Sequence, residues 1–262
     1  MAKSDTLLSG SFGNYSIYKM EGSEKNVIRM KGGPSYEKMK TAPTLEAQRK
    51  QAKQFGGSSK SSKMIGYALS SVKHLQDYRL HGHLNKLNGA ILKMDTGNPA
   101  GKRSIIYSRG LHLFEGLNLN RKILFDSVVT TSIGFSVNIA ERSASISIPS
   151  LSPGLNFINP WNQPFYRFRM NLGIVRDMVY KEGIGYEPVT ADIADQTVVV
   201  DTDWVSSKVS CSNQEIELIL EDPVFDENSH LLLSIGIEFG AQADGSIRHV
   251  RKAGCAKILI MT

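Results

Sequence analysis

The chain has 262 residues, a formal net charge of +6, 41% hydrophobic residues and 21% charged residues. This length exceeds one average domain and suffices to bury a core, and the composition excludes the intrinsically disordered class. Because the chain has neither a long apolar run nor an apolar leader in MAKSDTLLSGSFGN, it predicts no transmembrane segment and no secretory signal, and we expect a cytoplasmic protein.

The N-terminal segment predicts a β-hairpin. The strand-like sequences YSIYKM and NVIRM flank a Glu-Gly-Ser-Glu turn. KGGPS then ends the regular structure, because glycine tolerates positive φ and proline lacks an N–H donor. An isolated hairpin is marginally stable in water, so this one must pack on something else.

Two or three helices are predicted next. The first extends from about Pro43 to Phe55 and consists mainly of good helix formers. We expect GGSSKSSK, residues 56–63, to interrupt the pattern before a second helix whose apolar face runs from Met64 to Leu75. A third, from about His83 to Met94, ends at Asp-Thr-Gly-Asn-Pro.

The GGSSKSSK run also invites comparison with phosphate-binding loops, since glycine, serine and lysine before a helix can hold an anion. No G-x-x-x-x-G-K-[ST] pattern can be drawn through it, and no strand precedes it. We interpret it as a cationic linker or helix start, with weak phosphate or nucleic-acid contact as the alternative.

From Arg121 onward the hydrophobic period changes from 3.6 residues to 2. Alternation is clearest in Leu231–Phe239, Phe168–Ile174 and Ile216–Leu220, and further candidate strands are KILFDSVV, IGFSVNI, ASISI, TVVVDTDWV and AKILIM. Eight or nine strands in about 140 residues predict a mainly antiparallel β-sandwich with one face of its strands in solvent. The predicted class is α+β, with a hairpin and helical region in residues 1–121 and the sandwich in residues 122–262.

Charge divides the chain at nearly the same point. Met1–Leu124 contains 21 Lys and Arg against 8 Asp and Glu, whereas Phe125–Thr262 contains 10 against 17. A basic half joined to an acidic half favours a polyanion partner or an acidic protein surface.

No spacing defines a catalytic, metal or cofactor site. Cys211 and Cys255 belong to no CxxC or Cys/His set, and we expect two buried thiols in a reducing compartment, with a disulfide left open. His81 and His83 point away from each other on a helix, and no G-x-S-x-G occurs. We therefore expect a protein that is not an enzyme and needs no cofactor.

One aromatic segment, NFINPWNQPFYRFRM, places Trp161 and other aromatic residues beside Arg167 and Arg169. Such a group could form a sugar-binding or base-stacking platform. We favour the interpretation that these aromatic residues close one end of the sandwich.

The overall pattern resembles a group of uncharacterised proteins from Bacteroidota genomes. The likeness covers most of the chain and is carried by SGSFGNYSIYKMEG, VIRMKGGPS, KQFGGSSKSSKMIGYAL, LNRKILFDSVV and LLLSIGIEFG. It implies a taxonomic source but no activity, cofactor or functional residue.

The charge division motivates two hypotheses on function. The favoured one is a structural subunit that self-associates head-to-tail into an oligomer or filament, its basic half meeting a neighbour's acidic sandwich. The alternative is a nucleic-acid-binding protein that uses the basic half, and a weaker one is a ligand- or glycan-binding sandwich. The predicted interaction residues are Lys31, Lys50, Lys53, Lys60, Lys63, Arg121, Lys122, Trp161, Arg167 and Arg169.

Overall fold

The computed structural model describes residues 2–4, 9–20, 25–190, 197–221 and 224–262. Two compact units divide the chain, Met1–Arg49 and Lys50–Thr262. This division differs from the boundary expected after residue 121. The helices that follow residue 50 share a buried core with the C-terminal strands, so they belong to the same unit.

The N-terminal unit, Met1–Arg49, contains a small antiparallel sheet. Within the described residues its order is β1-β4-β3-β2. The strands are β1 Ala2–Ser4, β2 Gly10–Phe12, β3 Tyr15–Lys19 and β4 Asn26–Met30. The predicted hairpin is confirmed as β3 and β4, while its predicted Glu-Gly-Ser-Glu turn lies outside the described residues. A short helix, α1 Tyr36–Thr41, follows, and the Ser35 side chain accepts the backbone N–H of Lys38 at its start.

The predicted interruption at residues 56–63 is wrong, because α2 runs unbroken through that sequence. The helices after α1 are α2 Glu46–Ala68, α3 Leu80–Met94 and α4 Phe125–Val128. Three of the four serines of α2 are buried, Ser58, Ser61 and Ser62. Ser62 Oγ donates to the Ser58 carbonyl oxygen (2.8 Å) and accepts from Asn88 Nδ2 (2.9 Å). These bonds compensate for the low helix propensity of the run. The second predicted helix is the end of α2, followed by a 3-10 turn at Lys73–Leu75.

The large unit is built on a long antiparallel sheet of order β10-β7-β13-β14, to which β11 adds by pairing with β7. Its strands are β7 Phe165–Arg176, β10 Thr197–Asp201, β11 Val205–Ser206, β13 Ser229–Ala243 and β14 Ser246–Met261. A smaller sheet has the order β12-β6-β5. The remaining strands are β5 Gly134–Asn138, β6 Ser143–Ile148, β8 Met178–Lys181, β9 Gly185–Pro188 and β12 Gln214–Ile219.

The predicted α+β class is confirmed, with helices and mainly antiparallel sheets in a sandwich-like arrangement. The large sheet is the middle of three layers. One face packs on the small sheet, where Leu231 and Leu233 of β13 join the core. The other face packs on the helices, and Leu232 joins a second core there. Strand β13 is therefore covered on both faces, which corrects the expectation of one solvated face.

Two local features fix how the helices meet the sheet. Gly173 of β7 lies directly under the end of α2, where an added Cβ would stand 2.8 Å from the Ala68 carbonyl oxygen. That oxygen accepts a hydrogen bond from Asn171 Nδ2 (2.6 Å), so a sheet residue satisfies a carbonyl at the helix end.

The predicted strand KILFDSVV is instead α4, because Phe125 and Val128, three residues apart, are both fully buried.

Candidate interaction surfaces

The structure separates the ten predicted interaction residues into several places. Lys31 belongs to the N-terminal unit, where its Nζ donates to the Gly13 carbonyl oxygen (3.0 Å). The α2 lysines are exposed along one helix, and Arg121 places its guanidinium 4.1 Å from the centre of the Tyr78 ring. Only some of the ten therefore meet in a common site.

The aromatic platform that was considered as the alternative does not form around the arginines. Trp161 packs against Phe239, with ring centroids 4.9 Å apart, on the side of the core shared with the small sheet. Arg167 and Arg169 project from the opposite face of β7 toward Glu238. Alternate residues of a strand point to opposite faces, so a strand cannot gather both groups on one surface.

The two arginines instead hold a buried carboxylate. Glu238 is 1% exposed and accepts from His74 Nε2 (2.7 Å) and Arg167 Nε (2.8 Å). Arg169 lies 3.0 Å from the same carboxylate and forms a bidentate pair with Asp201. Burial opposes ionisation of Glu238, but these hydrogen bonds and positive charges lower its pKa to about 2. A carboxylate so fully occupied is a poor general base, and the cluster stabilises the fold.

A second buried network has the residue types of a hydrolase triad but not its geometry. His230 Nε2 lies 3.1 Å from Asp177 Oδ1. The Ser61 hydroxyl, however, bonds to the Tyr107 hydroxyl (2.5 Å), and the Tyr107 backbone N–H donates to Asp177. Acyl transfer needs a hydrogen bond between nucleophile and base. The described network contains no such bond between Ser61 and His230.

Two other kinds of reactive group were candidates, a metal-binding cluster and a reactive thiol. Within the residues described, no three His, Cys, Asp or Glu side chains are grouped so as to hold a metal ion. Cys211 and Cys255 are free thiols. Burial raises the pKa of Cys255, which keeps this thiol protonated and unreactive.

Lys53 and Lys60 both line one cleft, of about 480 Å³, between α2 and the β8–β9 hairpin. Its lining residues include Lys53, Gly56, Gly57, Lys60, Tyr180, Glu182 and Tyr186. Lys60 Nζ donates to the Tyr186 carbonyl oxygen (2.8 Å) and ties helix to hairpin. Burial raises the pKa of Tyr186 to about 12, so its phenol is neutral at pH 7. Sequence reasoning found the lysines but missed the tyrosines.

Lys122 and Trp161 line a second cavity, of about 260 Å³, beside Asp77 and Lys252. The Asp77 carboxylate accepts the backbone N–H groups of Arg121 and Lys122, each at 2.9 Å. This acidic group fixes the loop that carries both predicted basic residues and offsets their charge.

The N-terminal unit exposes several large apolar side chains, and the strand register places Phe12, Tyr15 and Met30 side by side. Its large exposed side chains are Phe12, Tyr15, Met20, Met30 and Tyr36, at 48–74% exposure. Among its described residues, Val27 is the only hydrophobic side chain that is buried. The described residues of the N-terminal unit therefore form no core of their own.

The outer face of the small sheet is acidic. Strand register places Glu215, Glu217 and Ile219 of β12 beside the serines of β6. A shallow groove of about 370 Å³ runs between Ser145 and Ser147 on one side and the two glutamates on the other. We call these five residues the outer face.

Comparisons with models of protein families, with curated proteins and with solved structures gave no match. Among the helices that the structure describes, none is both long and apolar enough to cross a bilayer. Function is therefore inferred from the surfaces themselves.

Proposed function

We propose that the protein is a non-enzymatic structural subunit that self-associates head-to-tail into an oligomer or filament. The supporting observation is the apolar surface of the N-terminal unit, with five large exposed side chains and Val27 buried alone among its described residues. A unit of this size needs more buried apolar area to be stable. Covering the exposed half of five such side chains contributes roughly 5 kcal/mol, which a neighbouring copy would supply.

The receiving surface we propose is the outer face of a neighbour's small sheet. It offers Ile219, 55% exposed, next to the carboxylates of Glu215 and Glu217. Residues 1–49 contain eight Lys and Arg against five Asp and Glu, so opposite charges would meet around an apolar contact. Such complementarity favours correct orientation and fast association.

Two different surfaces of the subunit would then be in contact, which makes the interface heterologous. Heterologous contacts generate rings when the rotation closes and open filaments when it does not. In the described part of the chain β5 pairs only with β6, so its other edge can accept a strand from a neighbour. The two free thiols fit the reducing cytoplasm that we propose as its location.

The test measures the mass of the full-length protein by size-exclusion chromatography with light scattering, at about 50 mM and about 500 mM salt. We expect large assemblies that shrink at high salt. Tyr15 and Met30 are cross-strand neighbours, 51% and 65% exposed. Changing both to serine should remove roughly 2 kcal/mol of contact and weaken association about 30-fold.

A matched control is Leu155→Ser, which removes a side chain that is 79% exposed on a loop of the large unit. It should leave the mass unchanged. A wild-type protein that is monomeric at every concentration and salt would overturn the proposal. Equal loss of assembly in the control would overturn the assignment to the N-terminal unit.

A nucleic-acid partner is the second candidate, because Lys50, Lys53, Lys60 and Lys63 are all exposed on α2. Binding through phosphates would weaken with salt, with a log–log slope of roughly −0.9 for each phosphate neutralised. A gel shift at about 50 mM salt should detect it. The absence of any shift at that salt removes this candidate.

A further inference from the structure

The cleft between α2 and the β8–β9 hairpin has the size and lining of a small-ligand site. Its volume of about 480 Å³ lies within the range of roughly 300–1,000 Å³ typical of ligand pockets. Lys53 and Lys60 are seven residues apart, close to two helical turns, so they stand on the same side of α2. Gly56 and Gly57 lie between them; the Tyr186 ring covers Gly57, and Gly56 leaves bare helix backbone as the floor.

The charges facing the cleft favour an anion. Glu182 is the acidic lining residue, and it is paired with Lys102 at 2.5 Å. Lys53 and Lys60 are exposed residues, and Lys60 makes one hydrogen bond that leaves two of its three N–H donors free for a ligand. Both lysines therefore face one space, and the acidic lining residue Glu182, which also interacts with Lys53, is already paired with Lys102.

The hairpin adds an aromatic wall. Tyr180 and Tyr186 are in edge-to-face contact, with ring centroids 5.4 Å apart. The Lys53 ammonium lies 5.7 Å from the centre of the Tyr180 ring, so a cation and an aromatic surface are adjacent. A ligand with both an anionic group and a planar ring would use both at once.

The two glycines have different explanations. At Gly57 an added Cβ would stand 2.6 Å from ring atoms of Tyr186, so this glycine is required for packing. At Gly56, well inside a 23-residue helix, an added Cβ would meet no described heavy atom within 4 Å. Glycine in a helix interior is costly relative to alanine. Packing does not explain Gly56, whereas clearance for a ligand over the helix would.

We infer that this cleft binds a small phosphorylated molecule with a planar ring, of the nucleoside monophosphate class. Lys53 and Lys60 hold the phosphate above Gly56, and the ring lies against Tyr180. This site does not depend on self-association. Assembly is followed by light scattering and ligand binding by calorimetry, so either can fail alone.

The test titrates the full-length protein with adenosine monophosphate, adenosine and inorganic phosphate by isothermal titration calorimetry at about 100 mM salt. The monophosphate should bind, and the other two should bind at least roughly tenfold more weakly because each lacks half of the contacts. Gly56→Leu, which fills the open space, should weaken binding of the monophosphate by at least roughly tenfold. Lys53→Gln should weaken it roughly fivefold and reduce its dependence on salt.

The matched control is Gly82→Leu, because Gly82 is a helical glycine of α3 whose Cβ would also meet no described heavy atom within 4 Å. It should bind like wild type. Three results would overturn the inference: no heat with the monophosphate up to about 10 mM, equal affinity for inorganic phosphate, or unchanged binding in Gly56→Leu. Binding of single-stranded DNA without binding of the monophosphate would reject the small ligand in favour of nucleic acid.

Discussion

Replacing Gly56 and Gly57 one at a time by alanine tests the packing of α2 against the hairpin. The two positions are adjacent in the same helix, so both alanines gain about 0.5–1 kcal/mol of helix propensity. At Gly56 nothing opposes this gain. At Gly57 the new methyl would stand 2.6 Å from Cγ and Cδ1 of Tyr186, and relieving that overlap costs about 1–3 kcal/mol.

Gly56→Ala should therefore be more stable than wild type, and Gly57→Ala should be equal or less stable by up to about 2.5 kcal/mol. Urea denaturation followed by circular dichroism measures both free energies of unfolding. In a background with Tyr186→Ala the penalty at Gly57 should disappear, because its partner is gone. Equal stabilisation by both alanines would refute the placement of the Tyr186 ring against the helix.

Two further changes test the sheet. Gly173→Ala should lower the free energy of unfolding by about 1–3 kcal/mol, because its Cβ would meet the backbone of Ala68, which cannot rotate away. Glu238→Gln should cost about 3 kcal/mol at pH 7. Since the pKa of Glu238 is lowered to about 2, wild type should lose stability as pH falls from about 4.5 to about 2. The variant should lose less in urea denaturation across that window, and Glu217→Gln should behave like wild type.

The elements that the sequence predicted well are those whose signal is local. The β3–β4 hairpin, α3 and the strands β7, β12 and β13 each carry their own period of apolar residues. The hairpin between β13 and β14 also has a local signal, Asp244-Gly245, with φ of 49° and 77° as a type I′ turn requires. From sequence alone, that dipeptide predicts that the two strands form a hairpin.

The errors came from contacts between residues far apart in the chain. The serines and glycines in residues 56–63 are typical of a linker, and they form a helix because Tyr107, Asn88 and Tyr186 pack on them. The cleft shows the same limit. Lys60 and Tyr186, which bond across it, are 126 residues apart, and no spacing rule connects them.

Strand β13 has a consequence for how the large unit unfolds. Leu231 and Leu233 belong to one core and Leu232 to the other, so a single strand contributes side chains to both cores. Neither core can be exposed without opening the other, and residues 50–262 should lose their structure in one cooperative transition. A fragment starting at residue 122 would have half of its central sheet uncovered, and it should not fold by itself.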